Sequence, residues 1–509
     1  MNRSRITDSD ITPDCLTETR RFARVGFSGS STRETVRRYW DDVRFDDARV
    51  LRSPGPFVKA SGTPITWSRP VPGVGEHTGE VLDPLRRSDD SSPRRRPERP
   101  PAPTTGPRLP LEGVKVADFS WIGVGPITAK ALGDHGATVV HVESDRPADR
   151  LRLVGPFKDG IPGINRCQFF GSFNTSKLSL QLDLKHPIGR DVAHRLLAWC
   201  DVALDSFTAG TMDGLGLGYD VARAINPGII MATTCLFGQY GPAAHLAGYG
   251  YHAAAVSGFY EITGWDDRPP AGPFNAYTDT IAPRFLATTL MAALDHRRRT
   301  GEGQFIDQAQ LESSLHFLSP ELLDVQLSGV SPRRAGNHDP FSAPHDAYPC
   351  AGTDRWCAIA VETDEQWRSL RQVIGAPPWA TDPALDTVGG RLAHLEVIDR
   401  ELAAFTVQHE PRALMGLLQE AGVPAGMVQR SSDHLCDPQL AHRSFFRPLV
   451  HPEMGEIPYE GHQFSVLGYD NGPRFPAPCL GEHTYEVLTD VLGLSDDEVA
   501  DILASGACG

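Results

Sequence analysis

Cysteine is sparse in this sequence and shows no pairing pattern. The nine cysteines among 509 residues are an odd, scattered set that includes no C-x-x-C motif. Such a set is typical of reduced thiols in a cytoplasmic protein. We therefore expect neither a disulfide framework nor a zinc site.

Long apolar runs are also missing. No window of about 18 residues is both apolar and uncharged, which argues against a membrane-spanning helix. The N-terminal stretch MNRSRITDSDITPDCLTETRR lacks the apolar run of a signal peptide. We expect a cytoplasmic protein that has no membrane partner.

Several common catalytic motifs do not occur. The sequence contains no G-x-S-x-G elbow, no P-loop and no H-E-x-x-H pair. The histidines at positions 245, 252, 338 and 345 are dispersed and lack the spacing of metal ligands. We therefore predict no metal site.

Positive charge is scarce outside the N-terminal part. Residues 1–110 hold 20 Lys or Arg against 15 Asp or Glu, whereas the rest of the chain holds 29 against 49. Nucleic-acid binding needs a basic surface. The acidic body therefore argues against a nucleic-acid partner.

The N-terminal part ends in a partial repeat of the chain's C-terminal tail. Pro70–Leu82 reads PVPGVGEHTGEVL and Pro476–Leu488 reads PAPCLGEHTYEVL, with nine of the thirteen positions identical. Nothing else in residues 1–84 repeats the core, so we interpret this part as the tail end of a second module. Residues 85–109 are rich in Pro, Arg and Ser, which predicts a disordered or extended linker.

Alternating strand and helix patterns begin near Pro110. The strand VKVADF, a glycine loop, a helix and the strand ATVVHV form a βαβ unit, which predicts a parallel sheet. We predict an α/β fold in which a doubly wound large domain starts over residues 110–330. A smaller α+β domain follows over residues 331–430, and residues 431–509 return to the large domain.

The most informative stretch is Gly272–Gln304, which predicts a loop followed by a helix. The helix pattern begins at Asp279 and ends at Gly301 after a basic last turn. Two interpretations of Asp279 stay open on local grounds. Its carboxylate caps the helix, or the same backbone donors hold it ionised as a nucleophile.

The loop after the first core strand imitates a dinucleotide-binding fingerprint. Gly123 and Gly125 open a helix, and Glu143 follows at the end of the next strand. Thr128 stands where the third glycine belongs, and Pro126 removes an N–H from the helix start. A nicotinamide or flavin enzyme is therefore the runner-up class.

Residues from about Leu111 to Leu488 resemble the family III CoA-transferases, which include formyl-CoA and carnitine CoA-transferases and the related 2-methylacyl-CoA racemases. The resemblance rests on ordered segments: LEGVKVADFS, GATVVHVES, FNTSKLSLQLDLKHPIGRD, DVALDSFTAGTMDGLGLGYD, NPGIIMATTCLFGQYGP, TGEGQFID, AGNHDPFSAPHDAYP, GVPAGMV, DPQLAHRSFF and LGEHTYEVL. It implies a Rossmann-like large domain with a small domain, and an interlocked homodimer.

The resemblance also implies a mechanism and site residues. Asp279 matches the family's nucleophilic aspartate, which forms mixed-anhydride and aspartyl-CoA intermediates while CoA passes from an acyl-CoA to a carboxylic acid. CoA is then a substrate, and no permanently bound cofactor is expected. The positions that match the CoA site are Trp121, Ile122, Gly123, Arg152, Leu182, Lys185, Phe207 and Tyr249.

Some positions depart from the family pattern. Gly123 replaces a glutamine of formyl-CoA transferase, Ser144 and Gly214 replace arginines that serve the CoA phosphates, and Ala247 replaces a lysine. The racemase branch carries a His-Asp pair at the positions of Tyr249 and Gly250. The absence of that pair favours the transferase branch, although Gly250 departs from the pattern of that branch too. A racemase, a non-catalytic paralogue and a subunit of a heteromeric assembly stay as alternatives, and the acyl donor and acceptor stay undetermined.

Overall fold

The structure is a computed structural model, and it describes residues 37, 39–44, 49–67, 69, 71–87 and 109–509. Most of the predicted linker, residues 85–109, lies outside these ranges. The strands, in chain order, are β1 Trp40–Arg44, β2 Val50–Pro54, β3 Lys59–Ala60, β4 Lys115–Asp118, β5 Thr138–Glu143, β6 Leu178–Gln181, β7 Val202–Asp205, β8 Ile230–Cys235, β9 Gln304–Ala309, β10 His345–Pro349, β11 Trp356–Ala360, β12 Ala425–Met427, β13 Phe446–His451 and β14 Gly455–Glu460.

Helices connect most of these strands. The α-helices are Thr78–Arg87, Val124–Asp134, Gln168–Phe173, Pro187–Trp199, Thr211–Gly214, Tyr219–Ile225, Gly250–Ser257, Phe259–Ile262, Tyr277–Thr300, Gln310–Leu315, Ser319–Ser328, Asp364–Val373, Val388–Ala393, Leu395–Thr406, Pro411–Glu420, Ser431–His434, Pro438–His442, Thr484–Glu486 and Asp496–Ala504. Short 3-10 turns lie at Arg150–Leu153, Lys158–Gly160, His316–Leu318, Pro378–Thr381 and Pro383–Asp386, and a π-helical turn lies at Val487–Val491. In the described part of the chain, no helix is both long and apolar enough to cross a membrane.

A seven-stranded sheet forms the centre of the first compact unit. Its order is β3-β9-β8-β7-β4-β5-β6, with β4 to β9 parallel to their neighbours and β3 antiparallel to β9. The predicted βαβ unit is confirmed, because β4 and β5 are parallel neighbours joined by the helix Val124–Asp134. The chain order reverses between β4 and β7. In open α/β sheets, ligands bind where such a reversal leaves a crevice at the carboxyl ends of the strands.

Apolar side chains cover both faces of this sheet. One cluster includes Phe119, Val142, Leu196 and Leu197, and a second includes Val116, Val202 and Ile306 with residues of the long helix Tyr277–Thr300. Successive residues of a strand point to opposite faces. Strands that are buried on both faces therefore read as continuous apolar runs, as VALD and IIMAT do.

The first unit comprises the described residues up to Ser257 together with Asn275–Val330 and Arg447–Gly509. The second unit comprises Gly258–Phe274 and Ser331–Phe446. It contains the antiparallel sheet β10-β11-β12 and an apolar core around Trp367, Leu402 and Leu414.

The N-terminal part is integrated into the first unit. Strand β3 extends the large sheet at β9, and Val58 is buried in the same cluster as Ile306. Strands β1 and β2 form a hairpin before it, as β13 and β14 do before the C-terminal tail. A hairpin thus precedes the repeated motif in both parts of the chain.

Candidate active site

Asp279 lies in the first turn of the long helix Tyr277–Thr300. The helix begins two residues earlier than predicted, and its N-cap is Ala276, so Asp279 is the third helical residue and does not cap the helix. The predicted end is confirmed, since Gly301 adopts the left-handed conformation after a basic last turn. Pro283 has no N–H to donate to the carbonyl of Asp279. Tertiary contacts therefore hold this first turn.

Two glycines flank the Asp279 carboxyl group. A Cβ atom at Gly123 would lie 3.0 Å from the Asp279 Cγ, and a Cβ atom at Gly250 would lie 2.8 Å from it. The backbone of both segments therefore approaches the carboxylate more closely than a side chain would allow. One oxygen, Oδ2, accepts a hydrogen bond of 3.2 Å from the Gly250 amide.

Gly250 is itself fixed by the neighbouring residue of the long helix. The Thr278 hydroxyl lies 3.0 Å from the Gly250 carbonyl oxygen and 2.9 Å from Oε1 of Gln310. Thr278, Gly250 and Gln310 are all buried, so this contact is protected from water. The position of the Gly250 amide is thus determined by tertiary structure.

The surroundings make Asp279 a perturbed carboxylate. Burial raises its pKa to about 6, while hydrogen bonds from the Gly250 amide and the Gln310 side chain act in the opposite direction. Desolvation weakens the hydration of the charged form and raises its basicity. A carboxylate with these properties is ionised at neutral pH and is a better nucleophile than a surface aspartate.

The loop Trp121–Gly123 brings the carboxyl end of β4 against Asp279. The Ile122 amide donates to Asp149 at 3.1 Å, and the Trp121 amide donates to the Ser206 hydroxyl at 2.9 Å. Ile122 has a φ of 70°, a conformation that costs a non-glycine residue about 1 kcal/mol or more. These contacts hold a strained loop in place next to the carboxylate.

Aromatic rings mark the same end of the sheet. Trp121 follows β4 and Phe207 follows β7, and their rings pack edge to face with centroids 5.7 Å apart. The structure thus brings Trp121, Ile122, Gly123 and Phe207 together with Asp279, at the reversal of strand order. A flat, partly apolar wall there suits a ligand with both apolar and polar parts.

Three other predicted residues lie in different settings. Leu182 is buried in the core after β6, so its side chain packs against protein. Lys185 is exposed in the turn that leads to the helix Pro187–Trp199. Tyr249 is 39% exposed, and its hydroxyl lies 3.4 Å from the guanidinium of Arg150.

Arg152 was predicted to line the CoA site, but its side chain is buried within the protein. Its side chain is 1% exposed and donates to both carboxylate oxygens of Glu143 at 2.7 Å. Its remaining donors reach Asn165 and two backbone carbonyls. The buried ion pair gives the guanidinium a structural role, because its hydrogen-bonding capacity is already used within the protein.

One buried cluster combines ligand atoms within 4.8 Å of one another, from His141, Glu143 and Asp149. Protein cations already balance its charge, since Arg152 pairs with Glu143 and Lys177 lies 2.8 Å from Asp118, the partner of His141. A second group among the described residues is more exposed: His338, Asp346 and Asp399. Neither group has a part in the chemistry proposed below.

The residues that surround the Asp279 carboxyl group were not predicted from the sequence. The Gly250 amide, the Thr278 hydroxyl and the Gln310 side chain contact Asp279 or its hydrogen-bond partner. The departure at Gly250 was noted, but a single glycine does not reveal which carboxylate its amide faces. A glycine that follows a loop and opens a helix was the one available signal.

Comparisons with known proteins agree with this geometry. The profile of CoA-transferase family III matches residues 111–484. Succinyl-CoA–D-citramalate CoA-transferase of Chloroflexus aurantiacus is 33% identical over 398 residues, which are 78% of this chain and 98% of that relative. A CaiB/BaiF family protein from Brucella suis superposes with a TM-score of 0.70 at 30% identity, covering 75% of this chain and 100% of that structure.

A longer relative matches further upstream. A probable CoA-transferase of Mycobacterium tuberculosis is 32% identical over 461 residues, which are 86% of this chain but only 57% of that relative. The chain belongs to CoA-transferase family III, and it is an enzyme of the CoA-transferase type. The family expectation is thereby confirmed, and the racemase, the dinucleotide enzyme and the non-catalytic paralogue are set aside.

Proposed function

We propose that this enzyme moves CoA from an acyl-CoA to a carboxylic acid through covalent intermediates on Asp279. The observation that carries the proposal is the setting of that carboxylate. It lies between Gly123 and Gly250 without an intervening side chain, and a backbone amide orients one of its oxygens.

The proposed sequence of bonds balances without an added co-reactant. An Asp279 oxygen attacks the thioester carbonyl, the C–S bond breaks, and a mixed anhydride and CoA thiolate result. The thiolate attacks the Asp279 carbonyl carbon, which releases the first acid and leaves an aspartyl-CoA thioester. The acceptor carboxylate then attacks the same carbon and expels the thiolate, and the thiolate takes the acceptor acyl group from the new anhydride. Asp279 is regenerated, and one difficult exchange has become several acyl transfers.

Backbone amides supply electrostatic support in this proposal. The Gly250 amide already donates to Asp279, and it stabilises the oxyanion that develops when thiolate attacks the Asp279 carbonyl carbon. Asp279 lies in the first turn of the helix Tyr277–Thr300, so the N–H groups of that turn lie at the same helix end as its carboxylate. Preorganised donors of this kind contribute about 3 kcal/mol each to acyl-transfer transition states.

CoA is proposed to bind along the carboxyl ends of β4 and β7. Trp121, Ile122 and Gly123 border its thiol end, and Phe207 packs on Trp121. Lys185, which is exposed beyond β6, is the proposed partner of the nucleotide phosphates. Leu182 and Tyr249 contribute to the walls, whereas Arg152 acts through its ion pair with Glu143.

We further propose a short dicarboxylic acid as the acyl donor or acceptor. The Chloroflexus relative is named for succinyl-CoA and D-citramalate. Arg150 lies beside the Tyr249 hydroxyl, and Tyr249 precedes Gly250, whose amide contacts Asp279. A guanidinium at this rim fits the free carboxylate of a dicarboxylic substrate whose other end reacts at Asp279.

The proposed working form is a cytoplasmic dimer of CoA-transferase-fold subunits. The predicted domain layout, with a large domain that starts at 110–330, a small domain at 331–430 and a returning tail at 431–509, places the site in the large domain. Native mass spectrometry of the purified chain tests the dimer, and a monomer that is fully active would contradict it.

An activity screen tests the function directly. Purified enzyme is incubated with succinyl-CoA or acetyl-CoA and a panel of mono- and dicarboxylic acids, and new CoA thioesters are detected by mass spectrometry. We expect transfer that requires Asp279 and favours dicarboxylic acids. Full activity of Asp279→Ala would overturn the mechanism, and deuterium exchange at the α-carbon without CoA transfer would point to an isomerase instead.

A further inference from the structure

The N-terminal part and the C-terminal tail are two copies of one structural unit. In each copy a β-hairpin precedes the G-E-H-T motif, and the N-terminal copy also holds strand β3 between them. Pro54 ends the hairpin and precedes Pro70 by the same number of residues as Glu460 precedes Pro476. The repeat therefore covers a whole folded unit, although only its motif is visible as a sequence match.

Backbone geometry at the two motifs is the same. Gly75 and Gly481 both have positive φ, at 78° and 69°. The Glu76 carboxylate accepts from the Gly73 amide at 2.7 Å, and the Glu482 carboxylate accepts from the Cys479 amide at 2.7 Å. The turns that open the two motifs thus match, whereas Val81 and Leu82 continue an α-helix and Val487 and Leu488 lie in a π-helical turn.

The C-terminal motif has a defined receptor, which is the edge strand β6. The Ser179 amide donates to Nδ1 of His483 at 3.2 Å, and the Gln181 amide donates to the Thr484 hydroxyl at 3.1 Å. Val487 and Leu488 are fully buried beneath this contact. The motif thus covers the open edge of a parallel sheet, which is otherwise prone to pair with other chains.

In the N-terminal copy the corresponding apolar residues are exposed. Val81 and Leu82 match Val487 and Leu488 in the repeat, but they are 62% and 37% exposed, and Val74 is fully exposed. A preformed docking face with apolar residues in solvent indicates an interaction site.

The segments that flank the N-terminal hairpin are anchored at the opposite edge of the same sheet. Strand β3 pairs with β9, and Arg37 forms ion pairs with Asp307 and Glu312. The β6 edge of this chain is occupied by its own C-terminal motif. Because the C-terminal motif already covers this chain's β6, the N-terminal motif needs a different receptor.

We propose that residues 71–83 dock on the β6-type edge strand of a second CoA-transferase-fold subunit, a different polypeptide whose own C-terminal motif does not cover that edge. The C-terminal motif seated on β6 gives the geometry of the contact. A second copy of this chain is disfavoured as the receptor, because docking there must displace a fully buried Val487 and Leu488.

One longer relative matches beyond residues 110–509 of this chain. The mycobacterial match covers 86% of this chain, which is more than residues 110–509 alone supply, so it extends into the N-terminal part. That relative also has a further 43% of its length outside the match, since the match spans 57% of it. The N-terminal part thus also has a counterpart in a relative whose chain extends well beyond the match.

Site-specific photo-crosslinking in the native host tests the proposal with the full chain. Val81 is replaced by p-benzoylphenylalanine, and Val50 on the hairpin, which is equally exposed at 61%, serves as the matched control. We expect residue 81, and not residue 50, to crosslink to a different family III polypeptide at the strand that aligns with Leu178–Gln181. A crosslink to a second copy of this chain, to an unrelated protein, or to nothing would overturn the proposal.

A double substitution gives an independent measurement. His77→Ala with Thr78→Ala removes the two side chains that match the β6-binding pair His483 and Thr484. Both positions lie outside the body's core, so the isolated chain should keep its melting temperature and activity. We expect at least a tenfold loss of the captured partner subunit in native mass spectrometry, and unchanged capture would contradict docking through this face.

Discussion

The Gly250 amide donates a hydrogen bond of 3.2 Å to Oδ2 of Asp279, and the absence of a side chain at residue 250 is what permits this contact. A Cβ atom there would lie 2.8 Å from the Asp279 Cγ. The glycine is therefore part of the geometry around the Asp279 carboxylate. Its departure from the family pattern is compatible with an active carboxylate.

Gly250→Ala should displace the carboxylate while the fold survives. The added methyl group must push Asp279 or the start of the helix Gly250–Ser257 aside, and small displacements of a reacting group lower rates by about 10- to 100-fold. We expect kcat to fall by that factor with little change in melting temperature. Gly416→Ala is the control, since a Cβ there meets nothing within 4 Å, and equal kcat values for both variants would contradict the assigned role.

The pH profile should report the raised pKa of Asp279. Burial raises this pKa to about 6, and only the ionised form attacks the thioester. We expect kcat/KM for acetyl-CoA to be constant above pH 7 and to fall about tenfold per pH unit below 6. The CoA 3′-phosphate titrates in the same range, so the thioester of dephospho-CoA is the control. A limb near pH 4 with both donors would contradict the assignment.

Arg150→Gln should change substrate preference rather than chemistry. Loss of the guanidinium removes a charge-assisted hydrogen bond to the free carboxylate of a dicarboxylic acid, which is worth about 1.5–3 kcal/mol. We expect the KM for succinate to rise by roughly 10- to 100-fold and the KM for a monocarboxylic acid to stay within about twofold. Steady-state kinetics with the two acids provides the comparison, and parallel changes for both acids would show that Arg150 does not read the second carboxylate.

Arg37→Met should destabilise the first compact unit, although Arg37 is distant in sequence from the two carboxylates that it contacts. Its guanidinium contacts Asp307 and Glu312, whose side chains are only 2% and 5% exposed. Removing one partner of a buried ion pair costs about 3–5 kcal/mol. Denaturant unfolding measures the loss, and Arg52→Met, which breaks an exposed pair with Asp42, should cost less than about 1 kcal/mol. Similar losses for both variants would mean that the N-terminal part is not an integral layer of the fold.

Much of the large sheet could be predicted from the sequence because its strands are buried on both faces. Continuous apolar runs predicted β4 and β5, and a glycine loop marked the connection after β4. Strands β6 and β9 were not predicted, since Leu178–Gln181 and Gln304–Ala309 are rich in polar residues. Their pairing depends on neighbours that are distant in the chain.

The family pattern pointed to Asp279, whereas the surroundings of its carboxylate were less predictable from the sequence. A family pattern identified Asp279, but helix capping on local grounds was wrong because Ala276 is the N-cap. The burial of Arg152 against Glu143 and the approach of Gly250 to Asp279 are tertiary contacts. Residue identity alone does not specify them, since the same residue types also occur as surface charges and flexible turns.

Chemical trapping at residue 279 tests the central claim most directly. Enzyme is mixed with succinyl-CoA, quenched with hydroxylamine or borohydride, digested and mapped by mass spectrometry. An acyl intermediate on Asp279 predicts an aspartyl hydroxamate with hydroxylamine, or homoserine with borohydride, at residue 279 and only in the presence of the donor. An active enzyme that shows no modification at residue 279 under these conditions would contradict the account.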